Sequence, residues 1–158
     1  MKRAIVVGTG AVASSHARAY EDPRISKRSK LTAVVDVDES RARSYASEHS
    51  VQNVYDSLDD ALSAERPDLV HICTPPWLHA EQSVSALESG AWVLCEKPPC
   101  ASLAELDAIE HAEHRTGRYC VTVFQWRYGS GMRYVHRTLD DGTFGRALVA
   151  VCNTLWYR

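Results

Sequence analysis

The sequence predicts an α/β fold in which a doubly wound parallel sheet carries helices on both faces. Short apolar runs rich in valine, isoleucine and alanine recur along the chain, and segments with helical periodicity separate one run from the next. This alternation predicts parallel strands, because parallel neighbours need a crossover connection and a helix usually supplies it. With 158 residues, 45% of them hydrophobic, the chain can bury a core of ordinary domain size.

A glycine turn follows the first apolar run at residues 4–7. Its pattern is Gly8-x-Gly10-x-x-Ala13, and helical periodicity comes next. In such a turn the first glycine allows a sharp bend, the second lets the backbone approach a pyrophosphate, and a small third residue lets the helix pack close to the strand. The pattern alone fits a structural turn as well as a phosphate site. We expect His16 on the exposed surface of the helix.

The second predicted strand, residues 31–35, ends at Asp36, which lies 23 positions after Ala13. A carboxylate at this spacing can accept hydrogen bonds from the ribose hydroxyls of a bound adenosine. The other interpretation is a loop or helix-capping acid, because a helix starts at residues 38–40. Glycine turn and acid together favour a dinucleotide site. The carboxylate would repel the 2′-phosphate of NADP, so NAD is favoured, while Arg41 keeps NADP open.

Further strands and helices continue the alternation. The remaining predicted strands are residues 51–54, 69–73, 91–95 and 119–124. The remaining predicted helices are residues 41–49, a capped turn from Ser57, residues 77–89, and a helix that Ser102 caps and Gly117 ends. All of these strands can join the first two in one parallel sheet.

Two of the strands end in segments with unusual chemistry. The fourth runs into Thr74-Pro75-Pro76-Trp77-Leu78-His79, and the fifth into Glu96-Lys97-Pro98-Pro99. Because the carboxyl ends of parallel strands lie at one edge of the sheet, both segments belong where ligands bind. A lysine there is suited to hydrogen-bonding a substrate hydroxyl or easing its proton transfer. The alternatives are a loop stiffened by prolines and an ordinary surface ion pair.

The composition limits the partners and the compartment. With 18 basic and 20 acidic residues, nothing predicts a nucleic-acid or anionic-membrane partner, so we expect a small molecule or another protein. Five cysteines without a C-x-x-C pair or zinc-like spacing predict a reducing cytoplasm and no metal site. The N-terminus superficially copies a secretory signal, but glycines interrupt its apolar run, and no run is long enough to span a bilayer.

Four local motifs follow one another along the chain. They are Gly8-Thr9-Gly10-Ala11-Val12-Ala13, Val35-Asp36, Thr74-Pro75-Pro76-Trp77-Leu78-His79, and Ala91-Trp92-Val93-Leu94-Cys95-Glu96-Lys97-Pro98. A fifth, weaker motif is Phe124–Tyr128 followed by Asp141–Arg146. In this order and spacing the chain resembles the glucose–fructose oxidoreductase and inositol dehydrogenase (Gfo/Idh/MocA) family of NAD(P)-dependent oxidoreductases. The resemblance covers essentially the whole chain.

The resemblance implies a Rossmann fold, NAD as cofactor with NADP less favoured, and a set of site residues. Lys97 would be the catalytic residue beside the substrate hydroxyl, and its peptide bond to Pro98 would be cis. The expected cofactor-binding residues are Gly8, Thr9, Gly10, Ala11, Val12, Asp36, Thr74, Pro75, Pro76, His79, Glu96, Lys97, Gln125 and Arg127. Pro76 stands where the family usually has asparagine, so the contact of that asparagine side chain is not carried over.

The resemblance also implies two domains. Residues 1–124 would form the cofactor domain, and residues 125–158 the start of a substrate and oligomerisation domain, with its first strand at residues 147–158. We expect the N-terminal portion of an oxidoreductase that transfers a hydride between nicotinamide and a hydroxyl-bearing carbon of a sugar, inositol or related polyol. Family members take an acid and a histidine from the second domain, so this portion is expected to bind cofactor without turnover. The full-length protein is expected to form homo-oligomers.

Two other functions stay open from the sequence. A non-catalytic dinucleotide sensor would share the fold, although it would have no need of Glu96 and Lys97. An interaction module would pair the predicted terminal strand with a partner chain by adding it to a sheet edge.

Overall fold

The computed structural model describes residues 1–152 of the chain. Contacts between residues divide it into two compact units, the first comprising Met1–Val123 and the second beginning at Phe124. The division lies next to the boundary predicted at residue 124, and the assignment of the second unit to a substrate domain stays a prediction. Within residues 1–152, no helix combines the length and the apolar character needed to cross a membrane.

Six strands form one sheet, and every pair of neighbours is parallel. They are β1 (Lys2–Val7), β2 (Ser29–Val35), β3 (Asn53–Tyr55), β4 (Leu69–Ile72), β5 (Trp92–Cys95) and β6 (Cys120–Thr122). Their order is β3-β2-β1-β4-β5-β6, so the chain builds outward from β1 to one side and then to the other. This is the order of a Rossmann fold, which confirms the doubly wound parallel sheet predicted from the sequence.

Helices connect the strands of the first unit. They are α1 (Ala13–Arg18), α2 (Pro23–Ser26), α3 (Glu39–Glu48), α4 (Leu58–Glu65), α5 (His79–Glu88) and α6 (Leu103–Thr116). The side chains of Asp38, Ser57 and Ser102 accept hydrogen bonds from first-turn amides of α3, α4 and α6 and so cap them. Short 3₁₀ segments at Ala19–Glu21 and Pro76–Leu78 occupy the ends of two helices that the sequence predicts as longer.

The sheet buries an apolar layer on each face, because successive side chains of a strand point to opposite sides. On β1, Ile5 and Val7 pack into the layer that α4, α5 and α6 cover, while Val6 packs into the layer that α1 and α3 cover. All three side chains are at most 2% exposed. Helices on both faces therefore hold the central strands in a fixed register.

The carboxyl ends of the central strands lie side by side at one edge of the sheet. The amide of Cys73, just after β4, donates to the carbonyl of Val7 at 2.8 Å. The amide of Glu96, just after β5, donates to the carbonyl of Ile72 at 2.9 Å. The glycine turn, the proline-rich segment and the Glu-Lys-Pro element are therefore delivered to the same edge, as the sequence predicts.

The second unit begins with a short 3₁₀ helix, Gln125–Tyr128, and continues with α7 (Ser130–Asp140). The strand predicted at residues 147–158 is not formed over residues 147–152. A strand requires a hydrogen-bonded neighbour, and no other segment of the described chain pairs with these residues. Residues 153–158 of that prediction lie outside the described residues.

The backbone around Gly8 leads to a stability prediction. Gly8 has φ +85°, and a Cβ there would lie 2.8 Å from the carbonyl carbon and oxygen of Cys73. We expect Gly8→Ala to lower the free energy of unfolding by about 2–4 kcal/mol, because the positive φ and the backbone clash both cost energy. Gly10→Ala is the matched control, since its Cβ would meet no heavy atom within 4 Å. Urea denaturation measures both variants, and an equal loss in the two would contradict the prediction.

Candidate functional site

A cleft of about 430 Å³ opens where the strand order reverses, between the carboxyl ends of β1 and β4. Ligands bind at this position in open α/β sheets. The chain connections that leave the two strands run to opposite faces of the sheet, and a crevice stays open between them. The predicted site residues that line it are Gly8, Gly10, Asp36, Thr74 and Pro75. The other lining residues are Val7, Val35, Val37, Arg41, Asp56, Leu58, Cys73, Trp77, Leu78 and Gln82.

The glycine turn contacts protein on one side and free space on the other. Gly8 packs against the backbone that follows β4, whereas a Cβ at Gly10 would meet nothing within 4 Å. Ala11 and Val12 follow as exposed residues, and Ala13 is fully buried where α1 begins. The open backbone at Gly10 therefore leaves room for the pyrophosphate that the sequence pattern predicts.

Asp36 lies at the end of β2 and accepts four hydrogen bonds. Its Oδ2 accepts from the Thr9 amide at 2.8 Å and from the Thr9 hydroxyl at 2.7 Å. Its Oδ1 accepts from the Asp38 amide and from Nη2 of Arg41, both at 3.0 Å. A carboxylate has about four lone-pair positions, so the protein itself saturates this one. Thr9 thus acts on the site through Asp36, a contact that sequence spacing alone does not reveal.

The ionisation of Asp36 follows from these contacts. Burial raises the pKa of Asp36, but the hydrogen bonds from the Asp38 and Thr9 amides, the Thr9 hydroxyl and Arg41 outweigh it and hold the pKa below its usual value. Asp36 is therefore a carboxylate at neutral pH, at the place where a ribose hydroxyl needs an acceptor.

The proline-rich segment forms one wall of the cleft. The Thr74 hydroxyl donates to Oε1 of Gln82 at 2.6 Å, which joins the segment to the first turn of α5. Pro75 lines the cleft, and the exposed Pro76 opens the 3₁₀ turn that leads into α5. Trp77 also lines the cleft while 72% exposed, so its ring is accessible for stacking on a planar ligand.

His79 lies between two loops, and its expected contact with the cofactor stays a prediction. The residue is 1% exposed. Its Nε2 lies 2.7 Å from the Thr74 carbonyl, and its Nδ1 lies 2.6 Å from the Pro98 carbonyl. Both ring nitrogens therefore lie next to carbonyl groups of the protein. His79 instead joins the proline-rich segment to the Glu-Lys-Pro element.

The Glu-Lys-Pro element presents one buried and one exposed charge. Glu96 is 8% exposed, and its Oε1 lies 3.0 Å from Nε2 of His16. Lys97 is exposed, and within the described residues its ammonium makes no hydrogen bond. The Lys97–Pro98 peptide bond is cis, which confirms that implication of the resemblance. Neither charged residue lines the cleft around Asp36; both lie at the end of β5, on the other side of β4.

The expectation that His16 lies on the helix surface is wrong. His16 is 8% exposed, because this face of α1 packs against the sheet. Its Nδ1 lies 2.9 Å from Nδ1 of His71 on β4, and its other nitrogen faces Glu96. These partners allow the polar ring to be buried, and they come from strands more than fifty positions away in sequence.

Gln125 and Arg127 belong to the second unit. Both are exposed residues of the 3₁₀ helix Gln125–Tyr128. Their expected contact with the nicotinamide stays a prediction.

Several cleft residues were not predicted as site residues. Leu58 opens α4 just after β3, and Gln82 lies on α5. Val37 follows Asp36 directly and is 89% exposed, an unusual exposure for valine. The position of Val37 and Leu58 after the carboxyl ends of β2 and β3 is the signal that could have found them, because all strand ends of a parallel sheet lie at one edge.

A comparison with protein families identifies this arrangement. A model of the oxidoreductase family with an NAD-binding Rossmann fold, the Gfo/Idh/MocA family, matches residues 2–124. The matched range contains the glycine turn, Asp36 and the Glu-Lys-Pro element. The chain belongs to this family. The match confirms the resemblance seen in the sequence and the NAD class of cofactor.

Individual relatives agree with the family. D-glucoside 3-dehydrogenase of Escherichia coli is 28% identical, over 97% of this chain and 43% of its own length. Inositol 2-dehydrogenase of Gluconacetobacter diazotrophicus is 34% identical, over 91% of this chain and 43% of its own length. The WlbA dehydrogenase of Chromobacterium violaceum, solved in complex with NADH and UDP-GlcNAcA, matches with a TM-score of 0.85 at 27% identity, over 92% of this chain and 41% of that one. This chain spans less than half the length of these relatives.

The residues at the cleft fit an NAD cofactor. The free space at Gly10 suits a pyrophosphate, and the Asp36 carboxylate suits the adenosine ribose. Arg41 and Trp77 border the same cleft and can flank an adenine ring. These residues would hold the adenosine half of the cofactor.

The low pKa of Asp36 predicts a pH-dependent stability. A carboxylate whose pKa is depressed by folding stabilises the native state above its unfolded pKa, and this contribution is lost as the pH falls. We expect Asp36→Asn to lower the free energy of unfolding by about 1–3 kcal/mol at neutral pH, and by less as the pH falls below about 4. Urea midpoints at neutral and acid pH measure the difference.

The matched control is Asp107→Asn, an exposed carboxylate of α6 that makes no side-chain hydrogen bond in the described residues. We expect this variant to follow the wild type at every pH. A cost of Asp36→Asn that stays constant down to acid pH would refute the role given to the carboxylate charge.

Proposed function

We propose that the chain is the NAD-binding portion of an oxidoreductase that transfers a hydride between nicotinamide and a hydroxyl-bearing carbon of a sugar, an inositol or a related polyol. One observation carries the proposal: the same sheet edge holds the Asp36 cleft and, beyond β4, the exposed Lys97. Membership of an oxidoreductase family supports it, as do relatives named as glucoside and inositol dehydrogenases.

The adenosine half of NAD binds through an exchange of partners at Asp36. Because four protein donors already saturate the carboxylate, Asp36 would accept from the ribose hydroxyls by releasing the Thr9 hydroxyl and Arg41, whose side chains can move away. The amides of Thr9 and Asp38 stay in place and keep the carboxylate oriented. A 2′-phosphate would face the negative charge of Asp36, so NAD is preferred over NADP.

Lys97 assists the proton that accompanies hydride transfer. When bound, NAD accepts the hydride from the carbon of the alcohol. In its amine form, Lys97 takes the proton from the hydroxyl oxygen, and in the reverse direction its ammonium returns the proton. The exposure of Lys97 and the absence of a hydrogen-bond partner in the described residues leave its Nζ available for this contact.

The identity of the polyol depends on residues outside this chain's matched portion. The relatives act on, or bind, an inositol, a glucoside or a nucleotide sugar, as their names state. We propose that the substrate belongs to this polyhydroxylated class, that the protein acts in the cytoplasm, and that copies associate into a homo-oligomer. Nucleic acid and membrane are not among the proposed partners.

Cofactor titration tests the proposal on the 158-residue chain. We expect NADH to bind more tightly than NADPH. Asp36→Ala should weaken NADH by about tenfold or more, because hydrogen bonds to a charged acceptor are lost, and should bring the two affinities closer. Asp107→Ala should leave both unchanged. Tighter binding of NADPH would refute the preference, and absence of binding of either at near-millimolar concentration would refute the cofactor site.

A second experiment separates catalysis from cofactor binding. We expect Lys97→Met to keep the dissociation constant for NADH within about twofold while lowering kcat with a polyol by about a hundredfold or more, since Lys97 acts on the proton. Turnover is measured on the natural protein isolated from its host. The 158-residue chain alone is expected to bind NADH without turnover. Lys27→Met, at another exposed lysine, is the control. Unchanged turnover in Lys97→Met would remove Lys97 from the reaction.

A further inference from the structure

Four polar side chains behind the Glu-Lys-Pro element are joined by hydrogen bonds, and we call this series the hydrogen-bond chain. The Tyr20 hydroxyl lies 2.6 Å from Nε2 of His71, and Nδ1 of His71 lies 2.9 Å from Nδ1 of His16. Nε2 of His16 then lies 3.0 Å from Oε1 of Glu96. The two histidines and the glutamate are each at most 8% exposed. The chain therefore runs through the protein from the helical segment after β1 to the edge of the sheet.

The carboxylate end of the hydrogen-bond chain fixes the direction of its hydrogen bonds. A carboxylate only accepts, so Nε2 of His16 donates to Oε1 of Glu96. Burial raises the pKa of Tyr20 and lowers the pKa of His71 to about 3, so the phenol keeps its proton and the imidazole is neutral.

The direction then passes from ring to ring. A neutral imidazole has one N–H and one lone pair, so His16, which donates from Nε2, accepts at Nδ1. Nδ1 of His71 donates this bond. His71 therefore has its lone pair on Nε2, where it accepts from the Tyr20 hydroxyl. Every hydrogen bond points from Tyr20 towards the carboxylate.

Glu96 is held by one oxygen only. Within the described residues, Oε1 bonds to His16, and Oε2 makes no hydrogen bond. The second oxygen can accept one hydrogen bond from a hydroxyl group at the end of β5. In a sheet of this order, β5 lies on the nicotinamide side of the strand reversal, opposite Asp36 on β2.

We propose that Tyr20, His71 and His16 are positioning residues that orient Glu96 towards a ribose hydroxyl on the nicotinamide side of the bound cofactor. This inference rests on the proposed function of the sheet edge. The chain fixes the tautomers of both rings and fixes which carboxylate oxygen is used by the protein. Tyr20 thereby influences the cofactor site without touching it.

The surroundings argue against a purely structural purpose. His71 occupies a position of β4 that faces the apolar layer under α1, where Val6, Ala13 and Ala17 pack. A hydrophobic side chain could fill this position without a hydrogen-bond partner, whereas each polar group buried there needs one. Every fully buried side-chain nitrogen and oxygen atom of the described residues has a hydrogen-bond partner, and the bond from His16 fixes one oxygen of Glu96.

Nitrogen NMR of the histidine-labelled 158-residue chain tests the direction of the hydrogen bonds. Single variants His16→Gln and His71→Gln assign the signals. We expect His71 as the Nδ1–H tautomer and His16 as the Nε2–H tautomer at neutral pH. In Tyr20→Phe, His71 loses its partner at Nε2, so the Nε2 signal of His71 should shift while the carboxylate keeps both tautomers unchanged. The opposite tautomers, or a doubly protonated His16, would overturn the proposal.

Cofactor titration tests the consequence for Glu96. Tyr20→Phe should raise the dissociation constant for NADH about three- to tenfold, because the two rings that hold Glu96 lose their anchor at Nε2 of His71. Tyr55→Phe is the matched control. This variant also removes a phenol hydroxyl that donates to a buried carboxylate, Oε1 of Glu65 at 3.0 Å. Tyr55 does not belong to the hydrogen-bond chain. The dissociation constant of this variant should stay within about twofold of the wild type.

Two outcomes separate this inference from the proposed function. Equal weakening in Tyr20→Phe and Tyr55→Phe, or none in either, would overturn the positioning role while leaving cofactor binding intact. If the wild type binds no NADH, the proposed function fails, and with it the positioning role for the cofactor. The tautomers of His16 and His71 measured by NMR then still show whether the hydrogen bonds run from Tyr20 to Glu96. The two experiments therefore distinguish a failure of cofactor binding from a failure of the hydrogen-bond chain.

Discussion

The close approach of Gly8 to the backbone after β4 is the constraint on which the rest of the site depends. At the reversal of strand order, the turn leaving β1 must pass the segment leaving β4, and only a residue without a Cβ fits between them. This contact sets the direction of the turn, and the turn sets where α1 starts. The open backbone at Gly10 and the burial of His16 against β4 both follow from that placement.

Much of the fold could be predicted because its signals are local. Each β-branched run, and each helix cap at Ser57 and Ser102, depends on residues that are close together in sequence. The spacing from the glycine turn to Asp36 can be counted directly in the sequence. In a parallel sheet, knowing which residues end each strand is enough to place them at one edge. The cleft residues Gly8, Asp36 and Thr74 were found in this way.

What could not be predicted depends on partners distant in sequence. Nothing near His16 indicates that Glu96, eighty positions later, supplies an acceptor that makes burial of the ring possible. The same holds for the contact of His79 with the Pro98 carbonyl, which lies nineteen positions later in the sequence. Residues 147–152 do not form the predicted strand for a related reason, because a strand needs a hydrogen-bonded neighbour as well as suitable residues.

The contacts of His79 have a mechanical consequence. One rigid ring, almost fully buried, holds the carbonyl of Thr74 on one loop and that of Pro98 on the other. The ring has no internal torsion that could absorb a change in the distance between the two carbonyls. A shift of the loop beside the cleft is therefore carried across β4 to the loop that bears Lys97, so the two loops move together.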